Sequence, residues 1–368
     1  MQTFKVRSKS FSYPVVIGRG AWQVLRSADS PQYTSIFVLT ERGLWRRWGK
    51  LFLKESGLGV VATLFVPSGE ASKSIGALER LAGQLLKRGA DRRSCLVLFG
   101  GGVIGDLGAF LASVYMRGID CIQVPTTILA QVDSAIGGKT AVNLGEMKNL
   151  IGSFHPGRIV LSEPRVLSSL SPRDFRSGLY EVVKHAVLQG PTLFRQLEGC
   201  VDSLHSGCIE LLEQILPSAV KVKVDVVNRD ERETDLRFVL NLGHTFGHAL
   251  EEATGYRRFV HGEAVGWGLL AVVRLSQHLG ILAPREGARI STVIQRLGPL
   301  PPVRDISLAK ILRLLPQDKK TVGGKIHWVI PERIGKVRVM TDVPPSAVSA
   351  SFRDIQRMDH REFAQDSR

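Results

Sequence analysis

Cysteine is scarce in this sequence, and no two cysteines have the spacing of a metal-binding or redox pair. The 368 residues include four cysteines, none of them in a Cys-x-x-Cys motif. Cys95 and Cys121 lie inside apolar runs of the kind that form buried strands. Disulfide frameworks and cysteine zinc sites are therefore disfavoured, and we interpret the four residues as reduced thiols of a cytoplasmic protein.

Long apolar segments are lacking as well. No run approaches the roughly 18 residues that are needed to cross a bilayer. The N-terminal segment alternates polar and apolar residues and lacks the apolar core of a secretion signal. We therefore expect neither a membrane partner nor export.

Acidic residues are fewer than basic ones, with 34 Asp and Glu against 49 Lys and Arg and a net charge of +15. Such an excess is typical either of nucleic-acid-binding proteins or of proteins with anionic small-molecule ligands. The basic residues are scattered, and the densest stretch, 42–50, has the spacing of an amphipathic helix whose tryptophans pack. The distribution favours an anionic small molecule and argues against nucleic acid.

The first half of the chain alternates strand-like and helical patterns. Apolar runs at 35–40, 60–66, 95–99, 121–125 and 158–161 predict strands, and 72–88 and 106–116 have helical spacing. This alternation predicts a Rossmann-like α/β domain, with a mostly parallel sheet and flanking helices. Long helical patterns follow from residue 174, and a strand-like run returns only at 326–330. We therefore predict an α/β domain over 1–172 and an all-helical domain over 173–368.

Three loops in the first half suggest phosphate or nucleotide binding. Gly100, Gly102 and Gly105 fit G-x-G-x-x-G between a strand and a helix, although this match alone is weak and lies far from the first strand. Hydroxyls follow the next strand at 126–127, where α/β sheets bind ligands. A glycine pair precedes Lys139, but the upstream glycine of an ATP-binding loop is missing. Together these loops predict a nucleotide site that is not an ATPase site.

Histidines in the second half suggest a metal site. His244 and His248 are four residues apart and lie on one face of the predicted helix, and His261 follows shortly after. Upstream, Glu181 and Lys184 lie on one turn of an otherwise apolar helix. The pattern selects His244 and His248 as ligands and leaves the third ligand open.

The blocks that contain these residues resemble the signature motifs of a known family. They read GGGVIGDLGAFLASVYMRG, QVPTTILAQVDSAIGGKTAVN, GEMKNLIGSFHP, EVVKHAVL, KVDVVNRDERETDLRFVLNLGHTFGHALE, VHGEAVGWGL and DKK with GKIHWVIPERIG. In this order, over roughly residues 65–340, they resemble the 3-dehydroquinate synthases of the sugar phosphate cyclase superfamily.

The resemblance implies an NAD-binding domain, a helical metal- and substrate-binding domain, and an active site in the cleft between them. The implied reaction converts 3-deoxy-D-arabino-heptulosonate 7-phosphate into 3-dehydroquinate and phosphate, the second step of the shikimate pathway. It proceeds by transient NAD oxidation of the substrate, β-elimination of phosphate, re-reduction, ring opening and intramolecular aldol closure.

The resemblance also assigns residues. It implies Glu181, His244 and His261 as ligands of Zn²⁺ or Co²⁺, so that His248 is a catalytic residue and not a ligand. NAD contacts are implied for Glu70, Lys73, Gly101, Gly102, Val103, Ile104, Gly105, Asp106, Thr126, Thr127, Lys139, Lys148, Leu167, Ser168, Ser169 and Leu170. Catalytic and substrate contacts are implied for Asp133, Asn149, Lys184, Lys223, Arg237, Asn241, His248 and one of Lys319 and Lys320. Arg117 is implied to reach the substrate phosphate of a neighbouring subunit, which makes the protein a homodimer.

Two related enzyme classes are alternatives. Other sugar phosphate cyclases share the fold and cofactors, but the matches at Lys223, Arg237, Asn241 and His248 favour dehydroquinate formation. Metal-dependent alcohol or glycerol dehydrogenases share the glycine loop, but they would release NADH. The sequence departs from the family pattern at Tyr180, Asp235, His155 and Glu163.

Overall fold

The computed structural model describes residues 1–27, 32–145, 147–233, 236–317 and 325–366. The chain forms two compact units, residues 1–170 with 223–231 (unit 1) and residues 171–222 with 232–368 (unit 2). The predicted domain boundary after residue 172 remains a prediction. The grouping of 223–231 with unit 1 was not expected, because this segment continues a helical pattern of the second half.

Unit 1 contains a seven-stranded sheet whose strands alternate with helices. Its elements are β1 (Gln2–Arg7), β2 (Ser12–Ile17), β3 (Ile36–Glu41), α1 (Arg42–Ser56), β4 (Val60–Val66), α2 (Ile75–Lys87), β5 (Cys95–Gly100), α3 (Gly102–Val114), β6 (Asp120–Pro125), β7 (Lys139–Leu144), β8 (Met147–Phe154) and β9 (Val160–Ser162). The sheet order is β1-β2-β9-β6-β5-β3-β4, with β1 antiparallel to β2 and the other pairs parallel. The predicted mostly parallel sheet is confirmed.

Strand β5 lies in the middle of this sheet and is buried along its whole length. A continuous apolar run of this kind is typical of a parallel strand that is covered on both faces. Helix α3 packs closely on β5, because a Cβ on Gly108 would lie 2.3 Å from Leu98 Cδ2. The glycines of α3 thus bring the helix against the strand that precedes it.

Strands β7 and β8 form a separate antiparallel hairpin, with Thr140 opposite Ser153. We expected a loop that presents Lys139, because the stretch contains two glycines and polar residues. Lys139 is instead the first residue of β7, and its side chain is exposed.

Unit 2 is largely helical, as predicted, and also contains an antiparallel hairpin. Its elements are α4 (Pro172–Gln189), α5 (Pro191–His205), α6 (Ile209–Arg229, of which residues from 223 onward belong to unit 1), α7 (His244–Ala253), α8 (His261–His278), α9 (Pro284–Arg296), α10 (Leu308–Leu314), β10 (Trp328–Arg333), β11 (Lys336–Met340) and α11 (Pro345–Asp366). Ser171 caps α4, because its hydroxyl accepts the N–H of Asp174, and Pro172 is the first residue of the helix.

Over the described part of the chain, no helix combines the length and the apolar character that a bilayer crossing would require.

Candidate active site

The glycine-rich loop of unit 1 lies at the carboxyl edge of the sheet. Gly100 ends β5 opposite Pro125, which ends β6, so the segments that begin at residues 101 and 126 start side by side. Strand β4 lies on one side of β3 and β5 on the other, and such a switch in strand order is where open α/β sheets bind ligands. Gly101 precedes α3 without a side-chain cap, which leaves the first N–H groups of α3 without that partner.

Part of the glycine motif serves packing. A Cβ on Gly100 would lie 2.4 Å from Ile104 Cγ1, and one on Gly105 would lie 3.1 Å from Gln123 Oε1. At Gly101 the nearest atom would be Thr127 Cγ2, at 3.0 Å. The motif therefore joins the strand, the helix and the neighbouring loop closely, whether or not a ligand is bound.

A buried lysine joins several of the predicted site residues of unit 1. Lys73 is 4% exposed, and its Nζ lies 2.5 Å from Asp106 Oδ2 and donates a hydrogen bond to Asn149 Oδ1. Glu70 Oε1 lies 4.0 Å from the same ammonium. Burial raises the pKa of Asp106, and the Lys73 cation opposes that shift. Residues assigned to NAD and a residue assigned to the substrate thus share one ionic group, which we call the lysine cluster.

Asn143 completes the lysine cluster and was not found from the sequence. Its Nδ2 donates to Glu70 Oε1 at 2.8 Å, and its Oδ1 accepts the N–H of Asn149 at 2.9 Å. Its own N–H donates to the carbonyl of Lys73 at 2.8 Å. The second of these bonds holds Asn149 in a left-handed conformation, with φ at 54°. A single asparagine inside a longer motif carries no periodic signal, so only the contacts reveal it.

The other predicted residues of unit 1 lie in several elements. Asp133 forms an ion pair with Lys223, the first residue of the segment of α6 that belongs to unit 1. Thr126 is buried, and Thr127 Oγ1 accepts the N–H of Ala130 at 3.1 Å. Lys148 lies on β8. The remaining predicted contacts lie in α3 (Val103 and the fully buried Ile104) and in or just after a short 3₁₀ helix (the buried Leu167, with Ser168, Ser169 and Leu170).

Three potential metal ligands meet in unit 2. The ligand atoms of Glu181, His244 and His261 all lie within 4.8 Å of one another. Glu181 Oε1 is 3.5 Å from Nε2 of each histidine, and the Glu181 side chain is fully buried. We call these three residues the metal triad. His248, selected from the pattern alone, is grouped instead with Glu251 and His261.

Glycines bring the helices of the metal triad together. Glu181 lies on α4, while His244 and His261 are the first residues of α7 and α8. A Cβ on Gly262 would lie 1.8 Å from the carbonyl oxygen of Ser177, one turn before Glu181. A Cβ on Gly268 would lie 1.9 Å from the carbonyl oxygen of Gly243. No side chain fits at either contact. The backbone of α8 therefore packs directly against the backbone of α4 and against the residue that precedes α7.

The charged neighbours of the triad are buried with it. Lys184 is fully buried and pairs with Glu181 Oε2. Nδ1 of His261 lies 3.2 Å from Glu251 Oε2, and Nδ1 of His244 lies 3.2 Å from the carbonyl oxygen of Leu242. Burial would lower the pKa of His261, but its hydrogen bonds with Glu181 and Glu251 outweigh burial and raise that pKa to about 10. In the absence of metal, His261 is therefore a cation at neutral pH.

The other predicted residues of unit 2 lie near the start of α7 or outside the described residues. Arg237 and Asn241 are buried in a short 3₁₀ helix before α7, and Asn241 Nδ2 lies 3.4 Å from Glu233 Oε1. His248 lies on α7, with its ring centre 5.5 Å from that of His244. Lys319 and Lys320 lie outside the described residues.

Two family models match consecutive parts of the chain. One, described as 3-dehydroquinate synthase N-terminal, matches residues 63–177, and the other, described as 3-dehydroquinate synthase C-terminal, matches residues 178–321. The chain belongs to the 3-dehydroquinate synthase family. Members of this family are phosphate-eliminating lyases of the shikimate pathway that use NAD and a divalent metal ion.

Curated 3-dehydroquinate synthases match over nearly the whole chain. The protein from Solibacter usitatus is 40% identical over 354 residues, covering 96% of this chain and 99% of the relative. The protein from Koribacter versatilis is 40% identical over 365 residues, covering 97% and 98%. A solved 2-epi-5-epi-valiolone synthase from Streptomyces hygroscopicus, with NAD⁺ and Zn²⁺ bound, is 26% identical with a TM-score of 0.85, covering 96% of this chain and 99% of that one. The fold is that of the sugar phosphate cyclases.

Three of the four departures from the 3-dehydroquinate synthase pattern are accommodated by local packing. Tyr180 is buried beside Glu181, its hydroxyl donates to the carbonyl of Gly298 at 3.2 Å, and its ring lies over Gly266. Glu163 is fully buried and accepts the N–H of Gly20 at 2.7 Å. His155 Nε2 lies 2.9 Å from the carbonyl oxygen of Ile119, and Asp235 lies outside the described residues.

Proposed function

We propose that this chain converts 3-deoxy-D-arabino-heptulosonate 7-phosphate into 3-dehydroquinate and phosphate, with a divalent metal ion held by Glu181, His244 and His261. The observation that carries the proposal is that the ligand atoms of these three residues lie within 4.8 Å of one another and that the Glu181 carboxylate is fully buried. Family membership and 40% identity to curated 3-dehydroquinate synthases support it.

The donor set of the triad suits Zn²⁺ or Co²⁺. One carboxylate and two imidazoles form a three-ligand protein site that leaves coordination positions for substrate oxygens. The bound Zn²⁺ and NAD⁺ of the solved valiolone synthase support both cofactors. When bound, NAD supplies a hydride acceptor, and the metal ion makes a substrate hydroxyl more acidic.

The chain's own residues then bind the substrate and move protons. Lys223 and Arg237 pair with the substrate carboxylate by charge-assisted hydrogen bonds. The substrate phosphate is held by Asn149, by one of Lys319 and Lys320, by Lys139 in addition to its contact with NAD, and by Arg117 of a second copy of the chain. Asp133 keeps Lys223 in place through their ion pair. Lys184, buried beside Glu181, and His248, beside His244, accept and return protons. The lysine cluster holds NAD through Glu70, Lys73 and Asp106.

A homodimer is part of the proposal. Arg117 is exposed in a left-handed conformation, with φ at 69°, and follows the exposed Val114 and Met116. The β7–β8 hairpin carries further exposed apolar side chains, and its Ser153 hydroxyl donates to Ser113 at 2.8 Å, next to Val114. These side chains are Leu144, Met147, Leu150 and Phe154. A second copy of the chain would bury this apolar surface and receive Arg117.

Mixing two inactive variants tests the arrangement of Arg117. If Arg117 acts in the partner's site, Arg117→Ala and Glu181→Gln dimers should regain activity on exchange, with roughly one quarter of the sites complete under random pairing. An Arg117 that acts in its own subunit would give no recovery on mixing.

The apolar surface of the β7–β8 hairpin is tested by sedimentation. Leu150→Lys should yield monomers, whereas Leu86→Lys, on the exposed face of α2, should not.

The reaction is tested by supplying the heptulosonate phosphate, Zn²⁺ and catalytic amounts of NAD. We expect inorganic phosphate and dehydroquinate to form together without net NADH. Steady NADH formation would identify a dehydrogenase, and a carbocycle formed from a sugar phosphate without the carboxylate would identify another cyclase. Either result would overturn the proposed activity.

The ligand set is tested separately by metal content. Glu181→Gln and His261→Ala should lose turnover and bound metal while the circular dichroism spectrum is unchanged. A full metal complement in either variant would show that the ligands are wrong.

We also propose that the protein acts in the cytoplasm. Its four cysteines are free in the structure, and Cys95 and Cys121 are buried, as expected where thiols stay reduced. Cell fractionation tests the location, and recovery outside the cytoplasmic fraction would contradict it.

A further inference from the structure

His261 and His244 differ in the hydrogen-bond partner of Nδ1, the ring nitrogen that does not face Glu181. Its Nε2 lies 3.5 Å from Glu181 Oε1, and its Nδ1 lies 3.2 Å from Glu251 Oε2. His244 instead presents Nδ1 to the backbone carbonyl of Leu242, also at 3.2 Å. One imidazole thus has a carboxylate behind it, and the other has a neutral oxygen.

We propose that Glu251 is a positioning residue of the metal site, which orients His261 and sets how tightly the site retains its ion. The proposal rests on the metal triad of the proposed function. A carboxylate that accepts the Nδ1 proton fixes the tautomer that leaves Nε2 free as a ligand, and it increases the donor strength of the imidazole. Glu251 is placed for this role because it lies on α7 and His261 is the first residue of α8.

Because the Glu251 carboxylate is buried, its charge can affect the affinity of the site for a metal ion. Glu251 is 4% exposed, Glu181 and Lys184 are fully buried, and the formal charges of these three groups add to −1. This sum applies when His261 is neutral, as it must be to bind a metal ion through Nε2. A buried site with net negative charge then attracts a divalent cation more strongly than a neutral one, because electrostatic interactions are less screened there. Replacing Glu251 by glutamine removes this charge but keeps an oxygen that accepts a hydrogen bond.

The adjacent residue provides a matched control. Glu252 is next to Glu251 on α7, and it lies outside both groups of potential metal ligands found among the described residues. Glu252→Gln removes the same charge from the same turn without touching His261. A difference between the two variants therefore reports the contact with His261 and not the net charge of the protein.

The test is competition for Zn²⁺ between the full-length protein and a chromogenic chelator. We expect Glu251→Gln to bind Zn²⁺ about 10-fold more weakly and Glu251→Ala up to about 100-fold more weakly, with Glu252→Gln close to wild type. In Co²⁺-loaded protein, the absorption bands should shift in the Glu251 variants and not in Glu252→Gln. One ion per chain should be found by elemental analysis in every case.

Two results would overturn the proposal. Equal Zn²⁺ affinity of Glu251→Gln and Glu252→Gln would show that Glu251 does not act through His261. Two ions per wild-type chain and one in Glu251→Gln would make Glu251 a ligand of a second site with His248 and His261. Failure of the proposed function looks different, because Glu181→Gln and His261→Ala would then also keep their metal.

Discussion

Gly262 and Ser177 are in backbone contact, so close that a Cβ on Gly262 would lie 1.8 Å from the Ser177 carbonyl oxygen. Gly262 follows His261 directly, and Ser177 precedes Glu181 by one helical turn. The separation of two proposed metal ligands is therefore fixed by the absence of a side chain at residue 262.

Gly262→Ala should separate α8 from α4 and weaken metal binding. Overpacking of this kind costs about 1–3 kcal/mol of unfolding free energy, and the displaced His261 should lower Zn²⁺ affinity. The control is Gly199→Ala on α5, where a Cβ meets nothing within 4 Å. Urea unfolding and chelator competition should show losses only in Gly262→Ala; equal behaviour of the two variants would refute the packing argument.

Lys184→Met should destabilise the metal-free protein much more than the metal-loaded protein. Without metal, Lys184 neutralises the fully buried Glu181, and removing one partner of a buried pair costs about 3–5 kcal/mol. A bound cation takes over that role. Urea unfolding with and without Zn²⁺ measures the difference, and Lys87→Met on the exposed face of α2 should change neither value by more than about 0.5 kcal/mol. A loss in Lys184→Met that is independent of Zn²⁺ would contradict this explanation.

The metal-free protein should lose stability as the pH rises from about 6.5 to about 10. The pKa of His261 is about 10 in the folded chain, against roughly 6.5 when unfolded. The contribution of the protonated ring is therefore complete below the unfolded pKa and disappears as the pH passes the folded pKa. Melting temperatures of chelator-treated wild type and His261→Gln should converge over this interval. Parallel curves would show that His261 is not protonated in the folded state.

Asn143→Ala should weaken NAD binding and raise the KM for the substrate. The side chain bonds both Glu70 and the backbone of Asn149, and each lost hydrogen bond costs about 1 kcal/mol. Asn143→Asp keeps the acceptor for Asn149 but places a negative charge beside Glu70. It should therefore impair NAD affinity, measured by fluorescence titration, more than KM. If Asn143→Asp and Asn143→Ala changed the NAD affinity and the KM equally, the separate roles given to the two hydrogen bonds of Asn143 would be wrong.

Buried strands were predictable from sequence, and the exposed hairpin was not. The run at 95–99 gives all but the last residue of β5, because a buried parallel strand is continuously apolar. The run at 60–66 coincides with β4, although that strand lies at the edge of the sheet and is partly exposed. Strands β7 and β8 lack that signal, since the hairpin lies outside the main sheet and is partly exposed. The helical pattern that follows residue 174 did not predict α5 as a separate helix.

The histidine spacing indicated a metal site, but not its ligands. Four-residue spacing places His244 and His248 on one helix face, yet the structure directs His244 toward Glu181 and His261, which are far away in sequence. The backbone contacts of Gly262 and Gly268 bring these residues together, and helical periodicity carries no information about them. The family motifs select the same three residues that the structure brings together, and their role as metal ligands stays a prediction.

The Nδ1 atoms of His244 and His261 have different hydrogen-bond partners, and this difference also determines how the site can evolve. The oxygen behind His244 belongs to the main chain, so no change of side chain at residue 242 deletes it. The oxygen behind His261 belongs to Glu251, which a single codon change replaces. Natural variation or directed evolution can therefore change the affinity for the metal ion through residue 251 and leave every ligand in place.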